Sequence, residues 1–268
     1  MGTFSLLTLN CFGGLALGTQ ARLRHLAQTL NSAAYSMVCL QEVQSNRYRA
    51  LLARDCNTCY PAQVYQQFVH APKGGLLTLS RLPIDQREFA LFRNRGLWYT
   101  PAVMDWITHK GVLITHTHID DLPIVIMNTH LTANYTGNWG RGNVFAQQEH
   151  NELTQIAVLV NAQPADRLVI VCGDFNVPRG TWLYDSLIAD AALIDPLTGD
   201  QRPTFRPYMG MGKHYGVPID FTLYRAPAAL ALQVESDLRF QDKVNIDGRP
   251  VHLSDHVGIA TRFSWANQ

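Results

Sequence analysis

Leu168-Val169-Ile170-Val171-Cys172-Gly173-Asp174-Phe175-Asn176 is an apolar run that ends on a carboxylate and a carboxamide two positions apart. The run reads as a buried strand. Side chains at i and i+2 share a face of an extended segment, so Asp174 and Asn176 are delivered to one side of the strand's mouth. One can hold or deprotonate a water, and the other can donate to a phosphoryl oxygen. Asp-x-Asn after a strand is also ordinary turn chemistry. Its meaning therefore depends on matching pieces elsewhere in the chain.

Five further segments end an apolar run on a polar group. Thr3–Leu9 leads into Asn10, and Ser36–Leu40 into Gln41-Glu42. Pro123–Thr129 leads into His130, and Val217-Pro218-Ile219 into Asp220. Leu253-Ser254 leads into Asp255-His256. The ordered set Leu-Asn, Gln-Glu, Thr-His-Leu, Gly-Asp-Phe-Asn, Ile-Asp and Ser-Asp-His resembles the endonuclease/exonuclease/phosphatase superfamily of divalent-metal phosphoesterases. The resemblance runs from Asn10 to His256. Six motifs in order are far more specific than any one of them.

The bulk properties agree with an enzyme-sized globular chain. With 268 residues, 47% of them hydrophobic, a large core can be buried. The motifs are spread from end to end, so 1–268 reads as a single catalytic domain. No run reaches the roughly 20 apolar residues of a membrane helix, so no integral membrane segment is expected. The N-terminus lacks a basic n-region and an apolar signal core. A cytoplasmic protein is the expectation, or a secreted one if a leader precedes Met1. Net charge is +1 with scattered basic residues, which disfavours a large duplex substrate. Cys56 and Cys59 have CxxC spacing but no second ligand pair for zinc, so packing or a local disulfide is favoured over redox chemistry.

Periodicity places strands at 3–10, 37–42, 74–80, 111–117, 123–129, 168–172, 218–224, 230–238 and 256–263. Helices are expected at 19–34, where Leu23, Leu26, Ala27 and Leu30 form one face, at 45–54, at 143–162 and from about Thr181. Strands that arrive both as hairpins and through helices predict mixed sheets. The resemblance implies the rest: an α/β (α+β) four-layered sandwich of two packed mixed β-sheets flanked by helices, with the site at one end.

Glu42 closes an apolar strand, and carboxylate oxygens suit Mg²⁺, with Mn²⁺ as a substitute. Alone it would be a solvated strand-end residue; the resemblance makes it the principal metal ligand, with Asn10 and Asp255 around the ion. A positioned imidazole can take a proton from water or stabilise phosphoryl oxygens. The resemblance implies that Asp220 pairs with His256 and that His130 contacts the phosphate. The same resemblance implies that Asp174 orients or activates the attacking water and that Asn176 holds the phosphate and Asp174. The residues leave the base open between Asp174 and His256. His116 and His118 alternate in a strand but lack the third ligand a zinc site wants.

Thr129-His130-Leu131-Thr132-Ala133-Asn134-Tyr135 and the glutamine-rich helix at Gln147-Gln148-Glu149 are similar to the neutral sphingomyelinase-like branch. Val144 and Phe145 stand where that branch usually has an Arg, and Arg141 lies a further turn back. The Trp-Cys-Asp-Arg signature of the inositol-phosphatase branch is absent. Leu91-Phe92, Leu97-Trp98-Tyr99 and Val103–Trp106, with Arg93 and Arg95 between, can meet a membrane surface or stack on a base if exposed, or pack as an edge hairpin. The expectation is a monomeric Mg²⁺-dependent phosphodiester hydrolase acting on a phospholipid headgroup, with peripheral membrane contact. The alternatives are an endonuclease or DNA-end phosphodiesterase, and an inactive binding module.

Overall fold

Even- and odd-numbered residues of the first strand part company: Phe4 and Leu6 enter one apolar cluster, Leu7 and Leu9 another. That alternation organises the computed structural model, which describes residues 2–14, 16, 18–94, 98–207, 212 and 215–266. The elements in the first half are β1 (Gly2–Asn10), α1 (Thr19–Ala33), β2 (Met37–Gln41), α2 (Asn46–Cys56), β3 (Ala62–Val64), β4 (Leu77–Ser80), β5 (Gln86–Leu91) and α3 (Val103–Ile107). There follow β6 (Gly111–Ile119), β7 (Leu122–His130), α4 (Val144–Asn161), β8 (Leu168–Asp174), α5 (Trp182–Asp190), β9 (Asp220–Arg225), β10 (Leu232–Arg239), β11 (Val244–Ile246), β12 (Arg249–Val251) and β13 (Gly258–Trp265).

One sheet has the order β10-β13-β1-β2-β4-β3, the other β5-β6-β7-β8-β9. Each contains one parallel pair, β1 with β2 and β7 with β8, joined through α1 and α4 respectively; all other neighbours are antiparallel. Because side chains alternate, each central strand is buried on both faces. Met37, Cys39, Ile124, Ile126, Leu168, Ile170 and Cys172 fill the layer between the sheets. Val38 and Leu40 meet α1 and α2, while Val125, Met127, Val169 and Val171 lie in the cluster that includes α4 and α5. The result is the expected four-layered sandwich of two mixed sheets between helices.

Toward the C-terminal ends of β1, β2, β7 and β8 the inter-sheet layer turns polar. Gln41 Nε2 donates to Asn128 Oδ1 (2.8 Å) and Thr8 Oγ1 (3.1 Å), and Asn128 Nδ2 donates to Leu40 O (3.2 Å). These buried amides bond one sheet to the other directly beneath the motif residues. In a dry layer an unpaired amide would cost more than the bond gains, so this pairing also resists sliding of the sheets.

Gly173 is demanded by the close approach of β7. Its φ is +142°, and a Cβ there would lie 1.9 Å from the Thr129 carbonyl oxygen. Thr129 is its register partner in the parallel pair. Gly173→Ala is expected to lower stability by about 2–3 kcal/mol, since backbone must give way. A urea unfolding midpoint equal to wild type would refute this steric reading.

The expected long elements are present with ends displaced by one or a few residues. β3, β5, α3, β11 and β12 carry no pattern in the sequence that marks them. All are short or exposed, so too few turns or alternations exist to show a period. The edge hairpin considered for the aromatic segment holds only for its first part: β5, ending at Leu91, is an edge strand antiparallel to β6 and Phe92 packs in the core, whereas Trp98, Tyr99, Met104 and Trp106 are exposed. Arg95 and Leu97 lie outside the described residues. The helix near Gln148 starts at Val144 with Asn143 as its cap, so Arg141 is not on it; its guanidinium stacks 4.2 Å from the Trp182 ring. Cys56 and Cys59 are free thiols. His116 faces Arg167 and His118 pairs with Asp85 at 2.8 Å.

Candidate active site

Register explains why distant strand ends meet. Asn10 pairs with Gln41, His130 with Asp174, and Asp174 with Asp220, so three motif residues sit side by side on one sheet with Asn176 just beyond, while Asn10 and the segments that carry Glu42, Asp255 and His256 belong to the second. Asp174 is the hub. Its Oδ2 accepts from Asn10 Nδ2 at 3.0 Å and lies 3.4 Å from His130 Nε2 and 3.6 Å from His256 Nε2. Its Oδ1 accepts from the Asn176 backbone N–H at 3.0 Å. On the far side of the imidazole, His256 Nδ1 is 2.9 Å from Asp220 Oδ2.

Local bonds fix each part. Ser254 Oγ donates to Asn10 O (2.6 Å) and accepts from His256 N (3.0 Å), which ties the last motif to the first strand. Thr204 Oγ1 accepts from Ile219 N and Asp220 N, both at 3.0 Å. The Asn176 side chain donates to Leu131 O at 2.9 Å, so its main chain rather than its carboxamide holds Asp174. Glu42 and Asn176 both leave their strands with positive φ, 57° and 53°. Asn accepts this conformation readily; for Glu it costs of order 1 kcal/mol or more, and such outliers concentrate at functional sites. Gly13 leaves room for it, because a Cβ there would sit 2.4 Å from the Glu42 carbonyl oxygen.

Glu42, His130, Asp174, Asn176, Asp255 and His256 line one cleft of about 710 Å³. Asn10 and Asp220 are buried behind it and reach it through their bonds to Asp174 and His256. All eight residues expected from the sequence are therefore drawn to one place.

Burial raises the pKa of Asp174, with Asp220 adding to the rise and His256 and Asn10 opposing it. For His256 burial disfavours the charge, but Asp220 and Asp174 outweigh it and hold the imidazole well above its usual range. His130 is pushed well below by burial, Lys110 and His256, so it is neutral. Glu42 is raised by burial and by the charges of Asp255 and Asp174, against its bond from Asn10 and the charge of His256. Several carboxylates thus compress negative charge into one region, and with the Asn10 amide they offer hard oxygen donors and no thiolate. That donor set fits a Mg²⁺-type ion. Among the described residues, Asp174, Asp220 and His256 also bring ligand atoms within 4.8 Å of one another. There, His256 Nδ1 and Asp220 Oδ2 are engaged with each other.

Several residues of the site escaped the sequence reading. Lys110 is buried, bonded through Nζ to Leu131 O (2.6 Å) and Asp105 Oδ1 (2.9 Å), and lines the cleft. Burial opposes its charge, but Asp105 outweighs burial and keeps it protonated. Leu131 is thereby gripped by Lys110 and Asn176 at its carbonyl and by Asp174 O at its N–H. The next residue, Thr132, gives its N–H and hydroxyl to Glu152 of α4 at 2.9 and 2.7 Å. Burial pushes the Glu152 carboxyl up to about 7 despite those bonds. Glu149 and Glu152 occupy apolar-looking positions of a helical face, and that mismatch was the available signal.

Mixed twin sheets whose strand ends pool carboxylates, amides and imidazoles define a recognisable class. A model of the Endonuclease/Exonuclease/phosphatase family matches residues 7–256. The chain belongs to that family. It is 25% identical to human sphingomyelin phosphodiesterase 2 over 276 residues, which covers 95% of this chain and 63% of that protein. It is 27% identical to a putative neutral sphingomyelinase of Drosophila melanogaster, covering 97% of this chain and 60% of that protein. The chain thus spans about three fifths of the length of these two relatives. Among solved structures, beta toxin from Staphylococcus aureus with bound magnesium ions superposes with TM-score 0.77 at 17% identity, covering 97% and 99% of the two chains. This likeness is one of fold.

Proposed function

We propose that this chain is a single-domain, Mg²⁺-dependent phosphodiester hydrolase acting on a phospholipid headgroup, with Mn²⁺ as a substitute ion. The observation that carries the hydrolytic reading is Asp174 pinned by Asn10 and Asn176 between two imidazoles, in the cleft that Glu42 and Asp255 enter. Hydrolysis of a phosphodiester needs a placed water, positive or donor groups on the non-bridging oxygens, and a way to stabilise the leaving oxygen. Asp174 orients that water through its anchored carboxylate. His130 and the second N–H of the Asn176 carboxamide donate to the phosphoryl oxygens. His256, oriented by Asp220, stabilises charge that builds on the phosphoryl group. Glu42, with Asn10 and Asp255 around it, would hold a divalent ion, and that ion would supply Lewis-acid charge when bound. The magnesium bound to the Staphylococcus aureus relative supports this choice of ion.

Two observations support a lipid over DNA. The curated relatives matched along nearly the whole chain carry sphingomyelinase names. Among the described residues that line the cleft, Lys110 is the one Lys or Arg, and it is engaged by Asp105 and Leu131, whereas a nucleic-acid backbone calls for several cations. Assays on sphingomyelin vesicles, supercoiled plasmid and a soluble aryl phosphodiester, each with Mg²⁺ or chelator, test the proposal. Cleavage of plasmid alone would replace the lipid reading with the nuclease one. Absence of metal-dependent turnover on all three would sink the hydrolase.

Glu42→Gln keeps an oxygen donor of the same size but removes its charge. The Mg²⁺ concentration for half-maximal activity is expected to rise at least about tenfold. Calorimetric titration with Mg²⁺ alone checks the same change without turnover, and an unchanged affinity would remove Glu42 from the metal site.

A further inference from the structure

We propose that residues 98–107, together with Val69, form a lipid-facing rim that rests on the bilayer beside the cleft mouth; this rests on the lipid reading above. Trp98 is 80% exposed and Val69 71%, while Tyr99, Met104 and Trp106 are each more than half exposed. Large apolar side chains are scarce on soluble surfaces in such concentration, and contiguous groups mark contact sites. The one charged residue between Trp98 and Ile107 is Asp105, which turns inward to Lys110 at 2.9 Å. The outward face of this segment therefore carries no formal charge.

The rim is tied together and joined to the site. Phe68, next to Val69, stacks on His109 with ring centroids 4.4 Å apart, and Gly74 N donates to Thr108 O at 2.7 Å. Met104 and Ile107, exposed on the rim, also line the cleft that holds His130, Asp174 and His256. Apolar side chains thus reach from solvent into the cleft beside the Asp105–Lys110 pair, whose charges are engaged with each other.

A bilayer suits this surface better than other occupants. Trp and Tyr combine an apolar body with a polar edge, which places them at the headgroup level of membranes. A single-stranded nucleic acid would stack on the same rings but would also require cations to track its phosphates, and none stands between residues 98 and 107. A second copy seated here would cover Met104 and Ile107 and close the cleft. A lipid surface instead brings the headgroup diester to the cleft mouth.

Co-sedimentation with neutral phosphatidylcholine vesicles containing sphingomyelin tests the rim, with wild type compared against Trp98→Ser combined with Trp106→Ser. Neither tryptophan lines the cleft. Partition onto vesicles is expected to weaken at least about tenfold, and the vesicle-phase rate with it, while turnover of a soluble aryl phosphodiester stays at wild-type level. Independently of any variant, bromolipid vesicles are expected to quench wild-type tryptophan fluorescence. Equal vesicle binding by the double variant, no quenching of wild type, or a wild-type dimer dispersed by the substitutions would overturn the rim. So would oligonucleotide binding lost in the double variant while vesicle binding is kept. Failure of the hydrolase reading is separate: it appears as no turnover of either substrate, and vesicle binding is still read.

Discussion

His256→Ala is expected to reduce phosphodiester turnover by about 10³-fold or more, chiefly in kcat. The imidazole is almost wholly buried, bonded to Asp220 at 2.9 Å and facing Asp174 at 3.6 Å. It is thus oriented from one side and aimed at the water-holding carboxylate on the other. Alanine removes the imidazole that stands between Asp220 and Asp174 and leaves two buried carboxylates without their shared cation. The backbone has its own anchors, His256 N on Ser254 Oγ and a bridge to Phe205, so the fold should survive. Steady-state kinetics at saturating Mg²⁺, with circular dichroism as a control, check the outcome. Full activity in a folded variant would show that the centre lies elsewhere.

Asp174→Asn is the second large effect, again about 10³-fold or more in turnover. An amide has the same shape but one acceptor instead of two. Here Oδ2 takes the bond from Asn10 and Oδ1 the bond from Asn176, so one donor must lose its partner and the water loses its carboxylate. Stability should change far less than activity, because the donor left without a partner offsets the relief of removing a buried charge. Burial raises the pKa of Asp174, so its ionised form favours the unfolded chain above the unfolded pKa, and an uncharged side chain relieves that cost. Kinetics and thermal unfolding measured together distinguish this from misfolding. A variant within tenfold of wild type would exclude Asp174 as the group that positions water.

Much of this site is local in the sequence. A strand followed by Asn, Glu, His or Asp-x-Asn can be recognised from a few neighbours, because alternation and apolar content are properties of consecutive residues. Glu149 and Glu152 are harder: their place on the apolar face of α4 hints at burial, but only the packed loop shows why they are inside, where Thr132 bonds Glu152 and Asn134 bonds Glu149. Lys110 carries no pattern at all. Its role comes from a carbonyl that is 21 residues away along the chain. The aromatic segment was ambiguous for a related reason, since a five-residue helix is too short for a period to say which face is wet.

By itself, then, the chain's sequence determined the strand-forming runs, the residue types at their ends, and through them the family and the chemistry available. Only the tertiary structure decided that Asp174 holds the centre between two histidines, that Asn176 grips it by the main chain, and that Trp98 and Trp106 face solvent. Side-chain alternation follows from backbone geometry one residue at a time. Which strand ends become neighbours depends on pairing and packing between segments as much as 246 residues apart.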